Sequence, residues 1–295
     1  MRIAHATDIH WFVPPPLPRI PGKRTLGTAT LYGRGRRHHF HIDVQTALVD
    51  HIVGLEPDLV IITGDLTAQA LPEEFELAKT ALQPILSRFP TFVQSGNHDV
   101  YTGGSFRTRR LAAYFAEWMH ETDGDPVARL DQGTVTILGL DPCRPHWSAS
   151  GRVPQEQLDR LAAVLEDDEL AGRSIVLATH YPVVDRRGHI YDGALHGLRN
   201  ASDLLDVLRA APHKPVAYLH GHKHHGYRVD VPLHAHVMTS FDPGSSGYAF
   251  DEKADRAACM NLYTLNADGR LEPERFRFDG RHFSPESGGA YASGR

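Results

Sequence analysis

The chain has 295 residues, of which 41% are hydrophobic and 23% charged, an ordinary globular composition that can bury a sizeable core. Its formal net charge is -5. Since a general nucleic-acid-binding protein is usually basic, we expect no nucleic-acid partner.

The two cysteines, Cys143 and Cys259, are far apart and belong to no paired motif. This pattern argues against a disulfide framework or a thiolate zinc site and is typical of a reducing compartment. No apolar run approaches the ~20 residues needed to span a bilayer, and the N-terminus lacks the apolar stretch of a signal peptide. The sequence therefore predicts a cytoplasmic protein, which could still contact a membrane peripherally.

Five short apolar segments are predicted as strands covered on both faces. They are Arg2–Thr7, Leu59–Thr63, Thr91–Gln94, Ser174–Thr179 and Val216–Leu219. Apolar stripes at helical spacing lie between them, within residues 44–55, 75–85, 158–165 and 204–208. Strands that alternate with helices predict an α/β fold, in which ligands bind beyond the carboxyl ends of the strands.

The C-terminal part of the chain changes character. Residues 229–278 are strand-like and turn-rich, with a turn at Asn266-Ala267-Asp268-Gly269, and are predicted to be edge strands of the same domain. One domain is thus expected over residues 1–283. Residues 284–295 are rich in Ser and Gly and are predicted to be a disordered tail.

The segment from Trp11 to Ile42 is unusual because it is basic and rich in proline. It contains no acid, and its basic residues are Arg19, Lys23, Arg24, Arg34, Arg36 and Arg37. It also contains five prolines, and it follows directly after the polar cluster Asp8-Ile9-His10. We expect a long insertion loop that begins beside that cluster.

Each predicted strand is followed by residues suited to metal binding. The clusters are Asp8-Ile9-His10, Gly64-Asp65, Gly96-Asn97-His98-Asp99, His180 and Gly221-His222-Lys223-His224. Any one of them could be a turn, a helix cap or a hydrogen-bonded core histidine. Together they would bring buried carboxylates and imidazoles to one place, which is costly without a bound cation. The glycines at 64, 96 and 221 are expected to let the chain turn sharply, and Lys223 and His225 to face solvent.

This ordered series resembles the calcineurin-like metallophosphoesterase superfamily, and the resemblance extends from Arg2 to about Phe278. It implies a four-layer α/β/β/α sandwich of two mixed sheets, with a metal site at the carboxyl ends of the strands. It also implies two divalent or transition metal ions. Oxygen and imidazole ligands suit manganese, iron, zinc or cobalt, and no thiolate narrows the choice.

The resemblance assigns a role to each residue of the clusters. The ligands of one metal ion would be Asp8, His10 and His224, and those of the other Asn97, His180 and His222. Asp65 would bridge the two ions. His98 would not be a ligand; it would stabilise the substrate phosphate and help to protonate the leaving group. The implied reaction is phosphoester hydrolysis by a metal-bridged hydroxide, with Asp65 and His98 as catalytic residues.

The sequence departs from the motifs of two subfamilies, and these departures reduce the number of possible substrate classes. Serine/threonine protein phosphatases have Gly-Asn-His-Glu where this chain has Gly-Asn-His-Asp, and purple acid phosphatases have a tyrosine ligand where this chain has Ala68. Both activities are therefore disfavoured. The segment from Leu138 to Leu165 is similar to cyclic-nucleotide-phosphodiesterase-like members. A small anionic, phosphate-containing substrate is expected.

Three interpretations remain open. One is a phosphodiesterase that acts on nucleotides or other small diesters. Another is a pyrophosphatase for a lipid-linked nucleotide, similar to UDP-2,3-diacylglucosamine hydrolases. In this enzyme the side chains of Lys23, Arg24, Arg36 and Arg37 would bind substrate, and apolar surface for an acyl chain or a membrane would come from Trp11, Phe12, Leu17, Ile20 and Leu26. The same loop could equally be plain solvated surface. The third is a catalytically silent metal-binding module, disfavoured because Asp65 and His98 are both present.

Overall fold

The computed structural model describes residues 1–14, 39–122 and 124–292. Its strands are β1 (Arg2–Ala6), β2 (Leu59–Ile62), β3 (Thr91–Val93), β4 (Ala128–Gln132), β5 (Val135–Gly139), β6 (Ser174–Ala178), β7 (Ala217–Leu219), β8 (Tyr227–Leu233), β9 (His236–Asp242), β10 (Cys259–Leu265), β11 (Leu271–Phe278) and β12 (Phe283–Pro285). The helices are α1 (Ile42–Leu55), α2 (Pro72–Leu86), α3 (Gly103–Arg107), α4 (Arg110–Met119), α5 (Gln155–Leu165) and α6 (Ala201–Ala210), with a short 3-10 turn at Asp168–Leu170.

The strands form two six-stranded mixed sheets. The order in the first sheet is β12-β11-β10-β1-β2-β3, and in the second it is β4-β5-β6-β7-β9-β8. Strands β1, β2 and β3 are parallel, as are β5, β6, β7 and β9. Parallel neighbours end at the same edge of a sheet, so the residues that follow β1 to β3, and those that follow β6 and β7, are brought to common edges.

Three apolar layers hold the sheets and helices together. Leu48, Phe75 and Phe115 belong to a core that joins the first sheet to α1, α2 and α4. A second core joins the other sheet to α5 and α6, and a third contains Ile61 and Val176 from the facing sides of the two sheets. The predicted four-layer α/β/β/α sandwich is therefore confirmed. None of the helices in the described ranges has the length and apolarity that a bilayer crossing requires.

The five strands and four helices expected from the apolar pattern are all present, with ends that shift by up to three residues. The turn at 266–269 also lies between two strands, β10 and β11. Helix α4 is absent from the sequence prediction, although Leu111, Phe115 and Met119 recur at helical spacing and are buried. The prediction of edge strands in this region is correct for β8 only, because β9, β10 and β11 each have a neighbouring strand on both sides.

The predicted disorder of the tail differs from the structure over residues 284–292, the part of it that the structure describes. Strand β12 pairs with β11, and Glu286 forms a 2.8 Å ion pair with Arg275 in which both side chains are at most 5% exposed. Tyr291 accepts a hydrogen bond from Asn261. Because a buried guanidinium is costly without an anionic partner, the Glu286 carboxylate gives this segment a fixed position that its Ser and Gly content does not indicate.

Candidate metal centre

The seven side chains proposed as metal ligands lie close together at the carboxyl ends of five strands. Asp8 and His10 follow β1, Asp65 follows β2, Asn97 follows β3, His180 follows β6, and His222 and His224 follow β7. The residues from β1, β2 and β6 are buried, whereas Asn97, His222 and His224 are half-buried. The site therefore lies where the two sheets meet, with one side toward solvent.

Four of these residues form a group able to hold a metal ion. Asp8, His10, Asp65 and His224 each offer one ligand atom, and these atoms lie within 4.8 Å of one another. His224 Nε2 is 3.0 Å from Asp8 Oδ1 and 3.2 Å from His10 Nε2. Asp8 Oδ1 is buried, and no group of the described residues donates a well-aligned hydrogen bond to it, although His224 Nε2 lies 3.0 Å away. A carboxylate oxygen left in this way is costly, and a coordinated cation would remove that cost, so the residues fit a metal ion.

The other three residues converge on the amide of Asn97. Its Oδ1 lies 3.1 Å from His180 Nε2 and 2.9 Å from His222 Nδ1. Asp65 joins this set to the first group, because its Oδ2 is 3.4 Å from His180 Nε2 and 3.7 Å from His10 Nε2. One carboxylate oxygen thus lies between histidines of both sets, as a bridging ligand would.

Each histidine of the site is fixed through the ring nitrogen that points away from the cluster. His10 Nδ1, His180 Nδ1 and His222 Nε2 contact the carbonyls of Thr67, Thr63 and His196 at 3.2, 2.8 and 2.9 Å, and His224 Nδ1 contacts the Tyr248 hydroxyl at 2.7 Å. A carbonyl accepts only from an N–H, so the contact determines which ring nitrogen is left to face the cluster. Metal-binding histidines are commonly held in this way.

The surroundings of the histidines shift their pKa values in ways that suit metal binding. Burial, together with nearby His98 and His224, lowers the pKa of His10 to about 3, and burial also lowers the pKa of His222 well below its ordinary value. Burial disfavours charge on His180 too, but the Asp65 carboxylate beside it raises that pKa to about 10. A proton on His180 therefore balances Asp65, and an entering metal ion competes with that proton.

The backbone of the site is strained. Five of the proposed ligand residues have a left-handed φ between 51° and 73°, a conformation uncommon for residues other than glycine. They are Asp8, His10, Asp65, His222 and His224. Such conformations persist where the surrounding structure imposes them, and they concentrate at functional sites. The sharp turns predicted for the neighbouring glycines are thus made largely by the ligand residues themselves.

Two of the three glycines have a different role from the predicted one. Gly64 has a left-handed φ of 93°, but Gly96 and Gly221 do not. A Cβ atom on Gly96 would lie 2.1 Å from the backbone nitrogen of Asp65, and one on Gly221 would lie 2.0 Å from Thr7 Oγ1. These two positions require glycine because other parts of the site approach them too closely for any side chain.

Gly96→Ala is therefore expected to destabilise the fold by about 1–3 kcal/mol, the usual cost of forcing extra atoms into a packed region. Because the colliding atom belongs to the Asp65 backbone, metal binding should weaken as well. Urea denaturation and metal analysis measure both effects. The control is Gly54→Ala, an exposed position in α1 with no atom within 4 Å of the added carbon, which should be neutral or stabilising. Equal stability of the two variants would contradict the steric argument.

His98 lies beside the proposed ligands but is held apart from them. Its backbone N–H donates to Asp65 Oδ1 at 2.7 Å, and its Nδ1 donates to the Ala68 carbonyl at 2.6 Å. Its ring meets the His10 ring edge-on, with centroids 4.8 Å apart. The side chain is half-buried, at the solvent side of the site. This placement fits a residue that contacts substrate.

Sequence reasoning missed two residues that organise the site. The Asp99 carboxylate accepts hydrogen bonds from the backbone N–H groups of Gly96, Leu66 and Thr67, so it joins the loops after β2 and β3. The position of Asp99 at the end of the motif Gly-Asn-His-Asp could have indicated that it belongs to the site. Tyr248, which contacts His224, lies in an irregular segment after β9 where no motif indicates it.

The substrate-binding prediction for Lys23, Arg24, Arg36 and Arg37 lies outside the described residues. The described ends of the basic segment are both near the site. At one end Trp11 is fully buried in the core of the first sheet, so the prediction that it offers apolar surface is wrong. At the other end the Phe40 ring packs on His10, with centroids 4.4 Å apart, and stacks on Tyr248 at 5.3 Å.

The chain is thus a two-sheet α/β sandwich with an Asp/His group that could hold a metal ion at the carboxyl ends of its strands. A family model for calcineurin-like phosphoesterases matches residues 1–226. The chain belongs to that family, which confirms the resemblance of its motifs.

Two curated relatives and two solved structures are similar to this chain. A probable cyclic nucleotide phosphodiesterase of Rhodococcus erythropolis is 31% identical over 195 residues, which are 62% of this chain and 58% of the relative. A probable glycerophosphodiester phosphodiesterase, GpdQ, of Arcobacter nitrofigilis is 29% identical over 158 residues, 51% of this chain and 53% of the relative. The chain thus spans little more than half the length of these relatives.

The solved structures support the fold alone, because their sequences are distant. A dimetal phosphatase from Danio rerio has a TM-score of 0.59 at 14% identity, covering 96% of this chain and 98% of that one. A purple acid phosphatase from yellow lupin has a TM-score of 0.60 at 15% identity, covering 96% of this chain and 52% of that one.

Proposed function

We propose that this protein is a dinuclear-metal-dependent phosphohydrolase that cleaves phosphodiester bonds, with a pyrophosphate bond as the alternative target. The observation that supports it most is the position of Asp65 Oδ2, within 3.4 Å of His180 and 3.7 Å of His10, at the junction of two sets of metal-type ligands. One metal ion would be held by Asp8, His10 and His224 and the other by Asn97, His180 and His222. Asp65 would be shared by both ions.

The bound ions would supply a nucleophile at neutral pH and neutralise charge on the phosphate, which otherwise repels an anionic nucleophile. The protein's own groups do the rest. The backbone N–H of His98 donates a hydrogen bond to Asp65 Oδ1, the carboxylate oxygen that does not face His180 and His10. This bond holds the proposed bridging carboxylate close to the residue proposed as proton donor. Because His98 Nδ1 donates to Ala68, proton transfer to the leaving oxygen is assigned to Nε2.

Several features favour a diester over other substrates. Both curated relatives carry phosphodiesterase names, and the segment from Leu138 to Leu165 is similar to cyclic-nucleotide-phosphodiesterase-like members.

The ligands are oxygen and imidazole donors, which suit manganese, iron, zinc or cobalt. Cys143 and Cys259 are free and buried, in keeping with a cytoplasmic location, which we also propose.

The test is a substrate screen of the protein loaded in turn with Mn²⁺, Fe²⁺, Zn²⁺ and Co²⁺. It includes bis-p-nitrophenyl phosphate, cyclic nucleotides, glycerophosphodiesters, nucleoside diphosphate sugars and a lipid-linked UDP sugar. Turnover of diesters ahead of monoesters and anhydrides is the expected result. A protein with full metal content that hydrolyses none of them would be a silent metal-binding module, and the proposal would be wrong.

The lipid-linked UDP-sugar alternative depends on the basic segment between Trp11 and Ile42. We propose that this segment is a substrate-recognition flap. The contact of Phe40 with His10, and its stacking on Tyr248 next to His224, supports the proposal because the segment returns to the chain directly beside the ligands. Its six cations without an acid would attract anionic substrates to a protein whose net charge is -5. Peripheral membrane contact through this segment belongs to the same proposal.

Replacing Lys23, Arg24, Arg36 and Arg37 together by Ser should raise KM for the best natural substrate of the screen and leave small chromogenic diesters little affected. The physical reason is that the flap charges act on the distant part of a large anion, whereas the ligands and His98 are unchanged. The effect should shrink as salt rises, since exposed charges are screened. Unaltered kinetics with every substrate, at low and high salt alike, would identify the segment as plain surface.

A further inference from the structure

The turn that contains two proposed ligands also contains a cation that the metal centre does not use. Lys223 lies between His222 and His224, and it is half-buried instead of facing solvent as predicted. Its ammonium group lies 4.6 Å from the centroid of the Tyr191 ring and donates to the Tyr191 hydroxyl. Within the described ranges, no carboxylate lies within ion-pair distance of Lys223. Its charge thus has an aromatic neighbour and no counter-ion there.

Lys223 lines a cavity of about 440 Å³ beside the metal centre. The lining residues are Asp185, Arg186, Arg187, Tyr191, Lys223, His225 and Tyr227. Arg186 and Arg187 are exposed, and neither forms an ion pair with an acid in the part of the chain that the structure describes. Three cations therefore surround a space that holds a single carboxylate.

That carboxylate is already committed to the loop. Asp185 Oδ1 accepts hydrogen bonds from the backbone N–H groups of Arg187 and His189 at 2.8 and 3.0 Å, and Oδ2 lies 3.6 Å from His189 Nδ1. These contacts close the short hairpin in which Val184 pairs with Ile190. Asp185 therefore holds the backbone of the hairpin at Arg187, and the three basic side chains leave the cavity with an excess of positive charge.

Two contacts link the lining of the cavity to the proposed ligands. The segment that begins at Tyr191 continues to His196, whose carbonyl accepts the hydrogen bond from His222 Nε2 at 2.9 Å. Lys223 joins the same two parts from the other side, since it neighbours both ligands in sequence and contacts Tyr191. The cavity and the proposed ligands therefore share the turn at residues 222–224 and the loop that contains Tyr191 and His196.

We propose that the cavity formed by Lys223, Arg186 and Arg187 binds a second anionic group of the substrate, a carboxylate or phosphate on the part that is not attacked. This inference rests on the proposed diester hydrolysis and specifies its substrate class: diesters with a negative charge beyond that of the diester itself. Charged hydrogen bonds from these three side chains would orient the substrate, and the Tyr191 and Tyr227 rings would contact the carbon atoms that carry the anion.

A matched pair of substrates tests the proposal. Glycerophosphoserine and glycerophosphoethanolamine differ by one carboxylate, which should lie in the cavity. The metal-loaded protein should favour the serine ester in kcat/KM by on the order of tenfold, because several partly exposed cations each add a modest preference. In the Arg186→Gln/Arg187→Gln variant this ratio should fall toward one. Both positions are exposed, so the fold should be retained.

The control for net charge is Arg270→Gln. Arg270 is an exposed residue of the turn between β10 and β11, and it makes no ion pair with any acid in the described chain. Its loss should leave the ratio of the two esters as it is in the wild type. Lys223→Gln should lower the ratio as the double arginine variant does, with metal content measured in parallel to detect any disturbance of His222 and His224.

Binding measurements separate this inference from the proposed function. Ligand-observed NMR on chelator-treated protein should show tighter binding of the serine ester, and the Arg186→Gln/Arg187→Gln variant should lose that preference. If the protein hydrolyses no diester with any of the metal ions, the proposed function is wrong. The binding preference measured by NMR still tests the subsite proposal in that case. If wild type and variant show the same ester ratio, or if only free sulfate binds and neither ester is preferred, the subsite proposal is wrong.

Discussion

Asp65→Ala is expected to abolish hydrolysis and to lower the metal content of both sites together. Oδ2 of Asp65 lies between His180 and His10, one histidine from each proposed set of ligands. Its removal takes a ligand and a negative charge from both ions, so neither site should bind normally. Activity should fall on the order of 10³-fold or more, because loss of ions that supply nucleophile and charge removes most of the rate enhancement.

Metal analysis by mass spectrometry and steady-state assays with bis-p-nitrophenyl phosphate measure the two effects. Asp65→Asn is the matched variant, since it keeps an oxygen to accept the His98 N–H but loses the charge; it should also fail to hold both ions. Asp50→Ala, an exposed carboxylate on α1, should be normal in both assays. Chelated wild type should be inactive and should recover with Mn²⁺. Full activity of Asp65→Ala, or of the chelated enzyme, would overturn the dinuclear mechanism.

The sequence predicts that the polar side chains after the strands come together, because strand position is visible in the apolar pattern. Asp8, Asp65 and His180 each come within three residues of a strand end, where the edge of a parallel sheet collects them. A short motif that follows a strand therefore indicates both the type of side chain and its position at the edge of the sheet. The convergence of these side chains could therefore be predicted from the sequence, whereas their roles as metal ligands come from the resemblance to the family and stay a proposal.

The groups around the ligands could not be predicted in the same way, because they arrive from distant parts of the chain. Tyr248 reaches His224 from the segment after β9, and His196 reaches His222 through a backbone carbonyl, which any residue could supply. Lys223 is predicted from the sequence to face solvent, but in the structure it is half-buried. Its actual position depends on Tyr191, 32 residues away, and no local pattern contains that information.

The same limit explains the C-terminal error. Ser and Gly content indicates disorder when a segment lacks apolar residues to bury. Here the segment is held by polar contacts: Glu286 pairs with the buried Arg275, and Tyr291 accepts a hydrogen bond from Asn261. Both partners lie on strands β10 and β11, so the ordering depends on tertiary structure that composition does not report.

His98→Ala should retain near-normal metal content while losing roughly 10²–10⁴ in rate, the usual contribution of a positioned proton donor. In the structure, His98 contacts the site through its backbone N–H to Asp65 and its Nδ1 to Ala68, and it is not one of the four residues whose ligand atoms converge. Its removal should therefore leave the ions in place and remove the group that protonates the departing oxygen.

The leaving group provides the decisive comparison for His98. An alkoxide needs a proton as it departs, whereas p-nitrophenolate is stable without one, so the rate loss in His98→Ala should be much larger for an alkyl diester than for bis-p-nitrophenyl phosphate. His282→Ala, which removes a mostly exposed imidazole between β11 and β12, should change neither substrate. An equal loss for both leaving groups would show that His98 stabilises phosphate charge without acting as an acid. A loss of bound metal would show instead that His98 is a ligand, and its assigned role would be wrong.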